Sequence, residues 1–461
     1  DSLAILFTLS INAQIKTLAM KFAILSLVFG LYSYNLISQN YGNDWIKANQ
    51  SYIKIETTER GVYRIQSNEY LDAGFDLSGL PAENFHLYFR GEEQVIYVER
   101  KENGELKSLE FFAERLDGKD DASLYREANQ GMRDPSAQAH PALSLFSDTS
   151  AFYLSWDQQP SNFRYQTYFN DTYSSFNPEP HFRYEALIQF EPERAETSLI
   201  LGGGCPYEPF HSLSPLYGIG EGYLGSLFGT GNPLSLDFET PYVRTDTQMV
   251  EVRFRVFGKS RTRHHVYSIL DGNTANPVID TTINTSSIYL KSYSRELVPA
   301  NPVGSQSNLR LTGTLFQGDS HHLINASLTY NRRTNLDGAF FMKVSDWEKP
   351  IDTYFQLENF DGIDSLFVYD LANGTRNVGL FSQDTGRVII KAFPNKRDLY
   401  IASDRSILSP NISSIQFQDL SDPSQGKDLI LITHKDLQQS AESYQSYRET
   451  NQLNSLQTKI V

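Results

Sequence analysis

The sequence predicts a mainly β protein, built as β-sandwich-like domains and followed by the first βαβ unit of a parallel α/β domain. Three observations predict it. Aromatics make up 13% of the chain, with 27 Tyr and 29 Phe, and flat side chains of this kind pack well across strands. Short period-two runs recur from Tyr52 onward, cut by glycine and proline clusters, with few stretches at helical spacing. Residues 428–461 then read as strand, helix, strand.

The elements follow in order. Residues 1–19 are read as upstream sequence without a structural role. Met20-Lys21 followed by Phe22-Ala23-Ile24-Leu25-Ser26-Leu27-Val28-Phe29 has the charged start and short apolar core of an export signal, and Ser38 supplies a small residue ahead of a cut before Gln39. Residues 20–38 are therefore expected to be a signal peptide. The rival reading makes membrane helices of 3–11 and 22–37. The first is too short to span, and Tyr32, Tyr34 and Asn35 interrupt the second. No later segment approaches the roughly 18 apolar residues of a spanning helix.

A β-rich domain is expected over 45–160. Ile53 and Ile55 alternate with Lys54 and Glu56, and residues 57–61 turn into Val62-Tyr63-Arg64-Ile65. A short helix follows, with Ser67 as N-cap and Gly74 as its stop. Residues 85–89 and 94–99 flank Arg90-Gly91-Glu92-Glu93 as a hairpin. Strands are expected at 108–114 and 151–156, with a long polar loop between them over 117–148. A β-sandwich-like region follows over 161–420, with strands at 184–190, 251–257, 265–270, 286–290, 307–312, 327–330, 353–357, 366–369, 387–391 and 399–402. Ser421-Asp422-Pro423-Ser424-Gln425-Gly426 is a polar linker and the clearest domain boundary.

Beyond it, Leu429-Ile430-Leu431-Ile432-Thr433 has the continuous apolar pattern of a strand buried on both faces. Asp436 is placed as an N-cap, and Leu437, Ala441 and Tyr444 recur at helical spacing. Asn451 is expected to close the helix in the left-handed conformation, and Thr458-Lys459-Ile460-Val461 starts a second apolar run. Strand, helix, strand opens a parallel α/β domain of which 427–461 is the start, truncated in mid-strand.

That order resembles the opening of the gingipain-type, caspase-like cysteine peptidase domain, with SYQSYRE on the helix. The region before it is similar to the N-terminal part of the PorU-type sortases of the type IX secretion system. The residues carrying the resemblance are Tyr52-Ile53-Lys54-Ile55, Gly61-Val62-Tyr63-Arg64-Ile65, Phe89-Arg90-Gly91-Glu92-Glu93 and Leu116-Asp117-Gly118-Lys119. Leu124-Tyr125, Leu145-Phe146-Ser147-Asp148-Thr149 and Gly220-Glu221-Gly222-Tyr223 continue it in the same order. Asn451 stands where the family usually has Gly. The resemblance implies an exported cysteine endopeptidase at the outer membrane or cell surface of a Gram-negative bacterium. Its implied partners are cargo proteins with C-terminal sorting domains and other type IX components. It also implies that the catalytic histidine and cysteine follow later strands, beyond Val461, so no catalytic, cofactor or metal residue is expected in 1–461.

Composition excludes some classes. A net charge of −15 disfavours nucleic acid, which needs a basic stripe along its phosphates, and an anionic membrane surface. Cys205 is the single cysteine, so it forms no intramolecular disulfide and no Cys-x-x-Cys zinc site exists.

Several residues suited to chemistry have plainer roles. Cys205, in Leu201-Gly202-Gly203-Gly204-Cys205-Pro206, has no histidine at a fixed short offset and reads as a buried or incidental thiol. His434 follows an apolar strand at its carboxyl end, where open α/β sheets place sites, yet matches neither family motif and reads as a surface histidine. His264-His265 and His321-His322 are adjacent on strands and point to opposite faces, so neither pair chelates one metal. Asp117-Gly118-Lys119-Asp120-Asp121 lacks the alternate acids of a calcium loop and reads as a solvated turn. Gly218-Ile219-Gly220-Glu221-Gly222 has no preceding parallel strand or following helix, so its glycines serve turns rather than phosphate. Sequons begin at Asn49, Asn170, Asn284, Asn325, Asn373 and Asn411. The alternative function is a cell-surface β-sandwich that binds glycan or protein through exposed aromatics and has no peptidase activity.

Overall fold

The computed structural model describes residues 43–124, 138, 141–189, 202–203, 212–213, 225–244, 249–258, 263–270, 279–286, 290–297, 304–313, 320–361, 365–382, 384–417, 427–451 and 456–460. The expected signal peptide at 20–38, Cys205, the glycines at 218–222 and the linker at 421–426 lie outside the described residues. The chain divides into two compact units. One is a β body, Tyr52–Phe89 with Glu93–Ile415. The other comprises Asp1–Ser51, Arg90–Glu92 and Gln416–Val461.

In the body, alternation builds the core. Along Ser51–Thr57, Ile53 and Ile55 are fully buried while Lys54 and Glu56 stay half-buried. This strand joins a five-stranded sheet in the order Asn411–Gln416, Ser51–Thr57, Ser150–Trp156, Phe85–Phe89, Glu92–Gln94. A three-stranded sheet of Gly61–Gln66, Leu106–Ala113 and Ile96–Arg100 packs with it. Ile53, Ile55, Leu87 and Leu154 meet Ile65, Ile96, Leu109 and Phe111 in one apolar cluster. Each side chain buried in this way contributes about 1.5–3 kcal/mol.

The helix Ser67–Asp72 begins one residue earlier than expected, because Gln66 rather than Ser67 occupies the N-cap. The Gln66 N–H donates to Glu69 Oε2 at 2.6 Å. Gly74 ends the helix as expected, with φ +89°. Its N–H reaches the Leu71 carbonyl at 2.9 Å and the Phe75 N–H reaches Tyr70 at 2.8 Å, the paired bonds of a Schellman stop. Arg90 and Gly91 take φ +52° and +83°, as a two-residue hairpin turn requires.

A second core lies between two further layers. Leu290–Leu297, Val250–Gly258, Ser320–Arg332 and Phe182–Gln189 are neighbours in a twelve-stranded sheet, and a four-stranded sheet holds Leu234–Glu239, Gln306–Gly313, Arg263–Leu270 and Ile279–Ser286. Phe254, Val256, Leu323 and Leu328 pack with Leu236, Phe238, Val266 and Leu309 between them. The large sheet runs on through Phe341–Lys349, Phe393–Ser403, Leu366–Asp370, Thr375–Ser382, Thr385–Ile390 and Thr353–Glu358. This part encloses a third core around Val344, Trp347, Phe355 and Val368. Val62 and Phe112 then pack with Phe367, Tyr369 and Tyr400 in a further cluster, tying the first sandwich to the large sheet.

Most expected strands are present, with informative exceptions. Of the strand expected at 286–290 only the two ends are described: Ser286 closes Ile279–Ser286 and Leu290 opens Leu290–Leu297. In the sequence IDTTINTS, Thr281 and Thr285 alternate with Ile279 and Ile283 along one period-two row, so the apolar alternation is broken. Leu234–Glu239, Phe341–Lys349 and Thr375–Ser382 are strands that the turn signals masked.

The second unit is parallel, as its sequence order predicts. Leu429–Leu431 pairs with Thr458–Ile460 through Leu429↔Thr458, Ile430↔Lys459 and Leu431↔Ile460, and the helix Gln438–Thr450 connects them. Glu449 Oε1 accepts from the Thr458 N–H at 3.1 Å and its hydroxyl at 2.7 Å. Three expectations change here. The first strand is not buried on both faces, since Ile430 is 61% and Ile432 87% exposed. The helix N-cap is Leu437, with no side-chain bond, rather than Asp436: a single 3₁₀ turn, Lys435–Leu437, precedes the helix, and His434 caps that turn, its Nδ1 accepting from the Asp436 N–H at 3.3 Å. Asn451 leaves the helix extended, at φ −67° and ψ 116°, not left-handed.

Candidate functional site

The residues weighed for chemistry are not brought together. His434 is spent on its cap and lies exposed on the second unit. His321 and His322 are adjacent on Ser320–Arg332, with the His321 ring stacked on Phe228 at 5.2 Å and His322 Nδ1 2.9 Å from the Gly225 carbonyl. His264 and His265 lie on Arg263–Leu270, and their side chains fall outside the description. In the 117–121 loop the acids serve the backbone. Asp121 is buried and accepts from the Leu145 N–H at 2.7 Å, while Asp117 accepts from the Lys119 N–H at 3.0 Å. Among the described residues no group of three His, Cys, Asp or Glu is placed to hold a metal. No described helix is long and apolar enough to cross a membrane.

Sequence reasoning missed a charged seam inside the body. Glu110 is fully buried on Leu106–Ala113. It accepts from Arg64 Nε and Nη2 at 2.8 and 2.6 Å and from the Tyr369 hydroxyl at 2.8 Å, and Arg376 Nε lies 3.4 Å away. The Arg376 guanidinium lies 4.3 Å from the Tyr97 ring centre and 3.9 Å from that of Phe367. Burial, followed by the Glu110 charge, pushes the Tyr369 phenol well above its ordinary range. The seam joins the first sandwich to the large sheet, with the buried Glu110 carboxylate engaged by Arg64, Tyr369 and Arg376.

The other concentration of polar groups lines a cavity of about 400 Å³. Among the residues lining it are Tyr184, Ala186, Ile188, Leu336, Met342 and residues 237–239. Leu234–Glu239 is an edge strand: among the described residues it pairs with Gln306–Gly313 and its other side ends the sheet. Arg332 lines the cavity at 3% exposure, its Nε 2.9 Å from the Asn335 carbonyl and its guanidinium 5.0 and 5.2 Å from the Tyr184 and Tyr242 ring centres. Burial pushes the neighbouring Tyr330 phenol up to about 12. Tyr242 and Asp337 hold φ of +56° and +57°, strained for residues with side chains. The Tyr242 hydroxyl donates to Asp337 Oδ1 at 2.9 Å. The edge strand was legible in principle, since LSLDFE alternates with period two, but Pro233 and the glycines before it read as loop.

No protein-family model matches the chain, and no curated protein sequence does either. Among solved structures, the dimeric latent PorU of Porphyromonas gingivalis matches at 13% identity and a TM-score of 0.52, over 90% of this chain and 37% of that one. The fold is similar to that of PorU. At this identity the likeness concerns the fold alone and transfers no PorU residue role. The chain spans about 37% of the PorU chain. The CBM36-1 domain of a xylanase from the hindgut metagenome of Trinervitermes trinervoides matches at 10% identity and a TM-score of 0.18, over 32% of this chain and 95% of that domain. The isomalto-dextranase of Arthrobacter globiformis T6 also matches at 0.18, with 7% identity over 61% of this chain and 35% of its own. Scores that low carry no argument beside PorU.

Proposed function

We propose that these residues are the N-terminal, non-catalytic part of an exported gingipain-type cysteine peptidase that acts as a type IX secretion sortase. The observation that carries this reading is the PorU-like fold over 90% of the chain. The parallel strand–helix–strand unit at the C-terminal end supports it. In this reading 20–38 is the export signal, 45–160 and 161–420 are β-rich modules, and 427–461 opens the peptidase module. The whole protein sits at the outer membrane or cell surface, removes C-terminal sorting domains from cargo and meets other secretion components.

The chemistry lies beyond Val461 in this reading. A histidine there takes the thiol proton of a cysteine, whose sulfur attacks the scissile carbonyl; the amine leaves with a proton, and water or an acceptor amine resolves the thioester. The test is cleavage of a cargo bearing a C-terminal sorting domain. A polypeptide extended past Val461 should cleave it, and the purified 461-residue chain should not. Cleavage by the 461-residue chain overturns the reading, as does an extension encoding no further βα units with a His and a Cys.

A further inference from the structure

We propose that the edge of Leu234–Glu239 is a docking site for an extended peptide, which adds as a strand and presents alternately apolar and basic side chains. The inference rests on the β body alone and stands whether or not the peptidase reading does.

Three features point to this occupant. The strand is unpaired along one side among the described residues, so its backbone offers the hydrogen bonds that strand addition uses. The cavity of about 400 Å³ runs beside that edge, within the range of about 300–1,000 Å³ of sites that hold a ligand. The period-two pattern then sets the side chains. Leu236 and Phe238 are buried on the inner face, and Ser235, Asp237 and Glu239 are exposed on the outer one. An added strand therefore places every second residue beside Ile188, Leu336 and Met342. The residues between lie next to Asp237 and Glu239, where opposite charges across neighbouring strands are favourable. Asp337 at the same cavity adds a third carboxylate. An acidic peptide meets these three carboxylates, while the one cation among the described residues lining the cavity, Arg332, is 3% exposed and bonded to the Asn335 carbonyl, which makes the site selective as well as adhesive.

Edge strands also carry charge simply to repel neighbours. Here a cavity whose lining mixes apolar side chains with Asp237, Glu239, Asp337 and Arg332 lies against the strand as well.

The test uses the full chain and fluorescein-labelled synthetic peptides read by polarisation, one alternating Val with Lys and one alternating Val with Glu. The basic peptide should bind with a Kd below about 1 mM and protect the Leu234–Glu239 amides from hydrogen exchange. The acidic peptide should bind at least about tenfold more weakly, a difference of about 1.4 kcal/mol. Asp237→Lys with Glu239→Lys changes exposed side chains, one of them the acceptor of the Asn308 amide at 2.6 Å, and should reverse the preference while circular dichroism stays unchanged and melting falls only slightly. Equal binding of both peptides, no binding at about 1 mM, protection at another strand, or a preference unmoved by the charge reversal overturns the proposal.

Discussion

Leu366–Asp370 and Leu429–Leu431 are both short apolar strands, LFVYD and LIL. In the first, every residue is buried. In the second none is, and Ile430 is 61% exposed. The difference lies in what surrounds them. Leu366–Asp370 sits between Phe393–Ser403 and Thr375–Ser382, with core side chains packed against it. Leu429–Leu431 has one described strand partner, Thr458–Ile460, and a two-stranded pair is too small to bury a face by itself. An apolar run thus states what a strand is able to bury; its neighbours decide whether it does so.

The comparison breaks most visibly at Glu110. Glu110→Ala leaves Arg64 and Arg376 without the carboxylate they share and should cost about 3–5 kcal/mol, read as a lower denaturant midpoint of the body. Glu105→Ala removes an exposed i,i+4 partner of Lys101 and should change stability by no more than about 0.5 kcal/mol. Equal losses in the two variants would mean that the seam is not what joins the layers. A smaller effect is expected at Gly379, where an added Cβ would lie 2.5 Å from the Arg387 carbonyl and 2.8 Å from Val388 Cβ. Gly379→Ala should cost about 1–3 kcal/mol through overpacking, measured the same way.

Tyr70 sharpens the comparison in the other direction. It is 1% exposed, and its hydroxyl has no hydrogen-bond partner among the described residues. Tyr70→Phe should therefore raise stability by about 1 kcal/mol at neutral pH. Burial, followed by the Glu69 charge, lifts its phenol well above the ordinary value of 10.0. With the folded pKa raised, the tyrosine's contribution is complete below pH 10 and is lost as pH rises beyond it, because the unfolded chain sheds the proton first. Unfolding curves between neutral pH and pH 11 should fall less steeply for Tyr70→Phe than for the parent.

Legibility in the sequence followed the same division. The alternation at 51–57, the stop at Gly74 and the parallel order of 427–460 could be read because each is local: a period, a glycine, a change of spacing. Glu110 could not, since Arg64 lies 46 and Tyr369 lies 259 residues from it in sequence. Thr375–Ser382 was hidden by Asn377 and Gly379, residues that read as turn but serve packing. Asn377 Nδ2 donates to the Val368 carbonyl at 3.0 Å, and Gly379 admits the neighbouring strand. The cavity beside Leu234–Glu239 needs strands from both layers, so only its edge pattern was present in the sequence.

Ile432 gives the smallest effect and the finest test. At 87% exposure it makes almost no apolar contact, so Ile432→Ser in the 461-residue chain should leave stability within about 0.5 kcal/mol. In a polypeptide extended by the proposed peptidase module, added strands and helices would cover this edge of the parallel pair, and the same change should cost about 1.5–3 kcal/mol. The paired measurement separates two accounts of the exposed run. A cost that appears only in the longer polypeptide identifies the run as the buried start of a larger parallel sheet. A cost absent from both leaves it a surface feature and removes the support that this unit lends to the peptidase reading.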